Sequence, residues 1–294
     1  MQNMLVLMQF LQYYDFVDYL AHYEVSPRLN SHGLHAHDYY EFFFHIKGGR
    51  LYCVDDTVFE LKPNQIVIIP PLHMHGLVCD RDLVDYERCW LYLTPESLNK
   101  FGFGKIDFIK IIDDAFTNQN FINIISDNDS KTIIKNLQQI EQNSSDCEKN
   151  SVNQIKDYLG IMEILEIAAK TFEKISKNSS VLISPNSSNS MQKVLHYINE
   201  HYIQDISIKD LCEKFNMSES ALSHEFRKYT NKAVYEYILY KRIIHAKELL
   251  FTGLNFTQVS LECGFHDYSN FLRVFKKITG NSPKEYKNLF PDFK

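Results

Sequence analysis

The sequence predicts an α+β chain of separate folded parts: a β-barrel or sandwich near the start and an all-helical domain at the end. Three observations carry this. Short β-prone runs follow one another closely between residues 51 and 93. Apolar spacing then changes to a helical period from about residue 105. The last hundred residues repeat one plan twice, a short amphipathic helix, a tight turn and a second helix.

In chain order, "MQNMLVLMQFLQYYDF" is apolar but has neither a cationic flank nor a small-residue cleavage site, so it does not read as a signal peptide. No run of about 18 apolar residues occurs, and no membrane span is expected. "RLYCVDDTVFEL" gives two strands around an Asp-Asp-Thr turn, "NQIVIIPP" a buried strand ended by prolines, and "ERCWLYL" another strand. From 105 to 175 helices are expected throughout. "SVNQIKDYLGIMEILEIAAKTFEK" carries Ile155, Tyr158, Leu159, Met162, Leu165, Ile167 and Ala169 near helical spacing. It reads equally as a core helix or as half of a dimer-forming pair. The Ser/Asn-rich stretch 176–190 reads as a linker. The expected boundaries are therefore a barrel over 1–105, a helical dimerisation segment over 106–175, the linker over 176–190, and a helical domain over 191–294.

Charge separates the parts. The 294-residue chain has net charge −6, yet residues 191–294 hold 15 Lys+Arg against 12 Asp+Glu, a net of +3, leaving −9 for the remainder. That asymmetry permits a DNA-binding C-terminal part. The six cysteines are scattered with no C-x-x-C pair, which fits a reducing cytoplasm better than a disulfide framework.

The repeated plan reads as two helix-turn-helix units. In the first, Ile208, Leu211, Cys212 and Phe215 make an apolar stripe, and Ser207 with Asp210 can cap the helix start. The second helix of that unit turns Leu222, Phe226 and Tyr229 inward and leaves Ser220, Ser223, His224, Arg227 and Lys228 outward. In the second unit Phe271, Val274, Phe275 and Ile278 repeat the stripe, Gly264 supplies the turn, and Ser269, Asn270, Arg273, Lys276 and Lys277 face out. Arg273 can grip guanine with two hydrogen bonds and Asn270 can pair with adenine. The lysines suit phosphates, which fix register rather than sequence. Each of these faces is also compatible with a merely solvated surface.

"ISIKDLCEKFNMS", "YKRIIHAKELL" and "CGFHDYSNFLRVFKKITGNSPKEYK" together resemble the DNA-binding domain of the AraC/XylS family of transcription regulators, over residues 194–287. The resemblance implies two helix-turn-helix units joined by a long helix, here 234–250. Their second helices would enter successive major grooves. It places Ser220, Ser223 and His224 at base-facing positions in the first unit, and Ser269, Asn270 and Arg273 in the second. It further implies double-stranded promoter DNA as partner, a homodimer, contact with RNA polymerase if the protein is an activator, and no membrane. This sequence departs from the pattern at His224 and at Asn231, where the family often has arginine and glycine. Asparagine tolerates the left-handed backbone of such a turn. The first unit's base contacts are expected to be weaker than the second's.

"LHAHDYYEFFFHIKGG" contains H-x-H-x(3)-E-x(6)-G as His35, His37, Glu41 and Gly48, and "NQIVIIPPLHMHGLVC" keeps Pro70 and His75 of a second motif while placing Asn64, Leu72 and Cys79 at its framing positions. Residues 30–90 thus resemble a cupin barrel. The fold class is accordingly an α+β multidomain chain: an N-terminal cupin-like β-barrel with dimerisation helices, then a C-terminal all-α double helix-turn-helix domain. Three imidazoles and one carboxylate suit a divalent transition metal. The same groups can instead hydrogen-bond a small-molecule effector, with a sugar or related metabolite as the class the resemblance favours. Candidate effector contacts are His35, His37, Glu41, Tyr52, His73, His75, Trp90 and Tyr92, and His35, His37, Glu41 and His75 are the candidate metal ligands. No catalytic role is expected. A metal-dependent enzyme tethered to DNA, and a constitutive regulator whose barrel only dimerises, stand as alternatives.

Overall fold

The computed structural model describes residues 18–29, 33–48, 51–78, 83–145, 151–175 and 190–289. The expected linker at 176–190 lies outside these residues except for Ser190, as does the apolar stretch at the N-terminus. Among the described residues, 18–175 form one compact unit and 190–289 another.

The first unit is built on two antiparallel sheets. The larger contains β1 (Tyr19–Leu29), β7 (Leu83–Leu93), β2 (Tyr40–Lys47), β5 (Gln65–Ile69) and β8 (Ile122–Ile124), in that spatial order. The smaller contains β4 (Thr57–Glu60), β3 (Leu51–Val54) and β6 (His75–Val78). Asp55 and Asp56 make the tight turn between β3 and β4, with Asp55 at φ 52°. This is the Asp-Asp-Thr turn expected from sequence, with Thr57 already in the strand.

Alternation on β2 and β7 explains how the sheet covers two cores. Glu41, Phe43 and His45 pair across to Tyr92, Trp90 and Arg88 and share one face. Phe43 stacks on Tyr52 of β3 at 4.9 Å, so this face meets the smaller sheet. Phe42, Phe44, Cys89 and Leu91 occupy the opposite face and are buried. Helices α1 (Pro95–Phe101), α2 (Phe108–Thr117), α3 (Asp127–Ser145) and α4 (Ser151–Ile175) complete the unit, with α3 lying along β1 and packing on α4.

Strands β1, β2 and β6 fall within the β-rich first hundred residues, although no single run predicted them. One stretch differs from the sequence expectation. The stretch 105–175 is not wholly helical, because β8 adds an edge strand to β5, pairing Val67 with Ile122. Three residues give no readable periodicity. On α4 the apolar residues divide between a buried face and an exposed one. Leu165 and Ile167 are buried with Ile161 and Ile164, while Ile155 and Leu159 are 57% and 63% exposed.

The second unit contains α5 (Ser190–His201), α6 (Ile208–Phe215), α7 (Glu219–Thr230), α8 (Val234–Leu249), α9 (Phe256–Glu262), α10 (Tyr268–Thr279) and α11 (Pro283–Leu289). Ser207 and Asp210 form the reciprocal cap at the start of α6. Asn231 ends α7 in the left-handed region at φ 58°, as its replacement of glycine required. No described helix is long and apolar enough to cross a membrane.

Candidate nucleic-acid interface and barrel site

The second unit holds two helix–turn–helix pairs, α6 with α7 and α9 with α10. Asn216 at φ 53° turns the chain between the first pair, and Gly264 at φ 80° between the second. Each second helix starts on a side-chain cap: Ser218 accepts from the Ala221 amide, and Asp267 from the amides of Ser269 and Asn270. Leu222 and Phe226 anchor α7, and Phe271, Val274 and Phe275 anchor α10. Anchoring one face fixes what the other presents. Ser220, Ser223, His224, Arg227 and Lys228 are exposed on α7, and Ser269, Arg273, Lys276 and Lys277 on α10. Asn270 is half-buried and accepts a 2.8 Å hydrogen bond from Arg273. All ten predicted contacts therefore sit on the two second helices, away from their anchored faces. The first helix offers hydroxyls and an imidazole toward its start. The second offers an amide and a guanidinium, the side chains that discriminate bases best.

The barrel site lies where β2 meets β6. His35 pairs with His75 in a backbone bridge that brings the two motif segments together, with His35 N to His75 O at 2.9 Å and His75 N to His35 O at 2.8 Å. One ligand atom from each of His35, His37, Glu41 and His75 falls within a cluster 4.8 Å across. The Nε2 of His37 lies 2.9 Å from Glu41 Oε2, and the Nε2 of His75 lies 2.8 Å from the same oxygen.

The tautomers follow from the backbone. The Nδ1 atoms of His37 and His75 lie 3.1 and 2.8 Å from the carbonyl oxygens of Tyr39 and His73, and that of His35 lies 3.4 Å from that of Gly33. A carbonyl only accepts, so each Nδ1 is placed to donate to it, while the Nε2 atoms of His37 and His75 face the Glu41 carboxylate. Burial, chiefly, lowers the pKa of His35 and of His37 and keeps both imidazoles neutral. Burial alone would raise the Glu41 carboxyl, but His75 and His37 outweigh it and hold the carboxyl well below the usual range. The centre is thus a buried carboxylate with two imidazole Nε2 atoms within hydrogen-bonding distance of one of its oxygens. Nε2 of His75 has no hydrogen-bonding geometry to any described group. Such a set fits a divalent cation, because metal–ligand bonds of about 2.0–2.2 Å leave neighbouring donor atoms about 3 Å apart.

The framing positions of the second motif changed residue but kept backbone. Asn64 and Leu72 stand where the motif has glycine, at φ 61° and 69°. Left-handed backbone costs a β-carbon residue about 1–2 kcal/mol, and Leu72 recovers part of that by being buried. Gly48 keeps φ 68°, and a Cβ there would lie 2.4 Å from the Asp85 carbonyl oxygen. Cys79 lies outside the described residues.

The predicted effector contacts separate into two groups. The rings of Tyr92 and His37 lie 4.6 Å apart, Tyr52 and Trp90 lie on the same inward side, and Tyr52, Trp90 and Tyr92 are buried. His73 is not among them. Its Nδ1 is 2.7 Å from Asp55 Oδ2, and its ring packs at 4.2 Å on Phe116 of α2. Its backbone carbonyl, not its imidazole, serves the site by orienting His75. Sequence reasoning missed Arg88 and His45, which face the same interior. Arg88 is buried between Glu24 and the rings of Tyr86 and Trp90, and burial then the Arg88 charge lower the His45 pKa to about 4. Their place at i, i+2 from Trp90 and i, i+4 from Glu41 was the available signal.

Comparisons with known proteins agree with both halves. Residues 19–102 match the family model of the AraC-like ligand-binding domain, and 211–288 that of a helix-turn-helix domain. An uncharacterised helix-turn-helix-type transcriptional regulator of Staphylococcus aureus is 30% identical over 132 residues, 45% of this chain. The chain spans only 17% of that relative's length. A Listeria innocua protein of unknown function is 33% identical, covering 35% of this chain and 98% of that one, with a TM-score of 0.33. ToxT of Vibrio cholerae, solved with an unsaturated fatty acid bound, covers 94% of this chain and 96% of that one at 17% identity, with a TM-score of 0.37.

Proposed function

The chain is a member of the AraC/XylS family of transcription regulators, and from that premise we propose that it reads promoter DNA with α7 and α10 and senses a small molecule in its barrel. The observation that carries the DNA reading is the pair of capped helices, each anchored on one face and presenting polar and cationic side chains on the other. Arg273 and Asn270 read bases, and Lys276, Lys277, Arg227 and Lys228 hold phosphates. The protein acts in the cytoplasm as an activator that meets RNA polymerase at the promoter.

The barrel binds a small oxygen-rich effector, a sugar or related metabolite, against Tyr52, Trp90 and Tyr92. His35, His37, Glu41 and His75 would hold a divalent transition-metal ion there. When bound, that ion supplies an electropositive centre for an effector oxygen. Glu41 neutralises part of its charge, and the three Nδ1–carbonyl hydrogen bonds fix the imidazoles. Dimerisation uses α4, whose Val152, Ile155 and Leu159 stand 60%, 57% and 63% exposed at i, i+3 and i+7.

Duplexes selected from a random library on the full chain, then footprinted, test the DNA reading. Two protected boxes on one face of the DNA are expected, and binding without sequence preference would refute it. Thermal shifts with a panel of pentoses, hexoses and uronic acids test the sensor. The buried metal-type cluster also favours a second reading as a metal-dependent enzyme. That one requires turnover that vanishes in Glu41→Gln.

A further inference from the structure

Arg242, on the long helix α8, is 8% exposed, and its guanidinium hydrogen-bonds to three backbone carbonyls. Its Nε donates to the carbonyl of Tyr202 at 2.7 Å and its Nη2 to that of Gln204 at 2.8 Å, both in the loop leading into α6. Its Nη1 donates at 2.6 Å to the carbonyl of Gly264, in the turn between α9 and α10. One guanidinium therefore joins loops of the two helix-turn-helix units whose bonded carbonyls, Gln204 and Gly264, are 60 residues apart in sequence. Three carbonyls from two loops converge on one planar cation, an arrangement a lysine cannot reproduce.

The surroundings concentrate the junction at this point. At Gly264 a Cβ would lie 2.2 Å from the Ile203 carbonyl oxygen, so the two loops touch backbone to backbone. The exposed pair His266 and Asp205 bridges the same loops, with Nε2 3.0 Å from both carboxylate oxygens. Beside the junction the units part around a cleft of about 440 Å³, with Ser207 and Asp210 on one wall and Asp267 and Asn270 on the other.

We propose that Arg242 is a positioning residue that fixes the separation and angle between α7 and α10, and so the spacing of the two DNA boxes the protein accepts. It touches no base. It acts by locking the turn that launches α10 to the loop that launches α6. This inference rests on the DNA reading above.

The test uses the full chain and a duplex selected from a random library. Inserting one base pair between its two boxes shifts the second by about 3.4 Å and rotates it by about 35°. Wild type is expected to lose about tenfold or more in affinity on that insertion. Arg242→Lys is expected to bind the parent duplex about tenfold more weakly and to lose less than about threefold further on the insertion. Its cooperative melting and helical circular dichroism should remain. A spacing penalty equal to wild type in a folded Arg242→Lys overturns the proposal. If that variant does not melt cooperatively, the surface variant Asp205→Ala decides: a smaller relaxation in the same direction supports the proposal, and an unchanged penalty overturns it. A wild type that selects no duplex is a separate result, which removes the DNA reading and this inference with it.

Discussion

Asn270 Oδ1 accepts a hydrogen bond from the guanidinium of Arg273, one turn further along α10, at 2.8 Å. Each side chain thus restrains the other before any DNA arrives. Ordering a long side chain in advance lowers the entropy lost on binding.

Arg273→Ala should weaken binding and relax preference by about 1–3 kcal/mol at one base pair. Asn270→Ala should also blunt preference at that pair, because Arg273 loses its support. A double-mutant cycle read by fluorescence anisotropy should give a non-zero coupling energy. Strict additivity would mean the two side chains act independently on DNA.

The untagged full chain should carry close to one equivalent of a transition metal by elemental mass spectrometry, and His35→Ala/His37→Ala should carry none. Burial lowers the pKa of His35 and of His37, which favours the neutral imidazole a metal ion needs. Equal metal in both samples, or none in either, would make the histidines hydrogen-bonding walls of the pocket.

His45 sets a pH term in stability. Its folded pKa is lowered from 6.5 to about 4 by burial and then by Arg88. The unfolded chain therefore takes up a proton near pH 6.5 that the folded barrel refuses. Stability is full above that pH, falls as pH drops from 6.5 toward 4, and is flat in this term below 4. The loss is about 3 kcal/mol at most. His45→Gln should flatten that part of the urea-midpoint profile between pH 7 and 5, and a profile parallel to wild type would assign the slope elsewhere.

Ile155→Glu/Leu159→Glu should convert a dimer to a monomer in sedimentation velocity while leaving the thermal midpoint within about 2–4 °C, since both side chains are more than half exposed. A wild type that sediments as a monomer would remove α4 as the dimer seam.

The helix-turn-helix units were legible because caps, turns and apolar stripes there are local: Ser207 with Asp210, Gly264, and Phe271 with Phe275 act within a few residues of one another. The clustering of His35, His37, Glu41 and His75 was legible for a similar reason, as each motif keeps its spacing. What sequence could not supply is the pairing of His35 with His75, forty residues apart, which only the sheet brings about. The place of His73 beside Asp55 and Phe116 was hidden on the same account. An imidazole next to a ligand position turns away when an aspartate such as Asp55 offers a closer partner. No local pattern around Arg242 marks it, because the carbonyls it meets lie on two loops distant in sequence. The three-residue β8 has too little sequence to show a period.

The strand β2 joins two readouts in one piece of backbone. Glu41, Phe43 and His45 look into the barrel, and Phe42 and Phe44, the residues between them, lie under the opposite core. A guest that draws Glu41 inward by a fraction of an ångström would tug the same peptide planes from which Phe42 and Phe44 hang. The barrel would then need no wire of relayed contacts to report its occupancy across the sheet. The strand itself is the lever, and its stiffness sets how faithfully a filled pocket is felt on the other side.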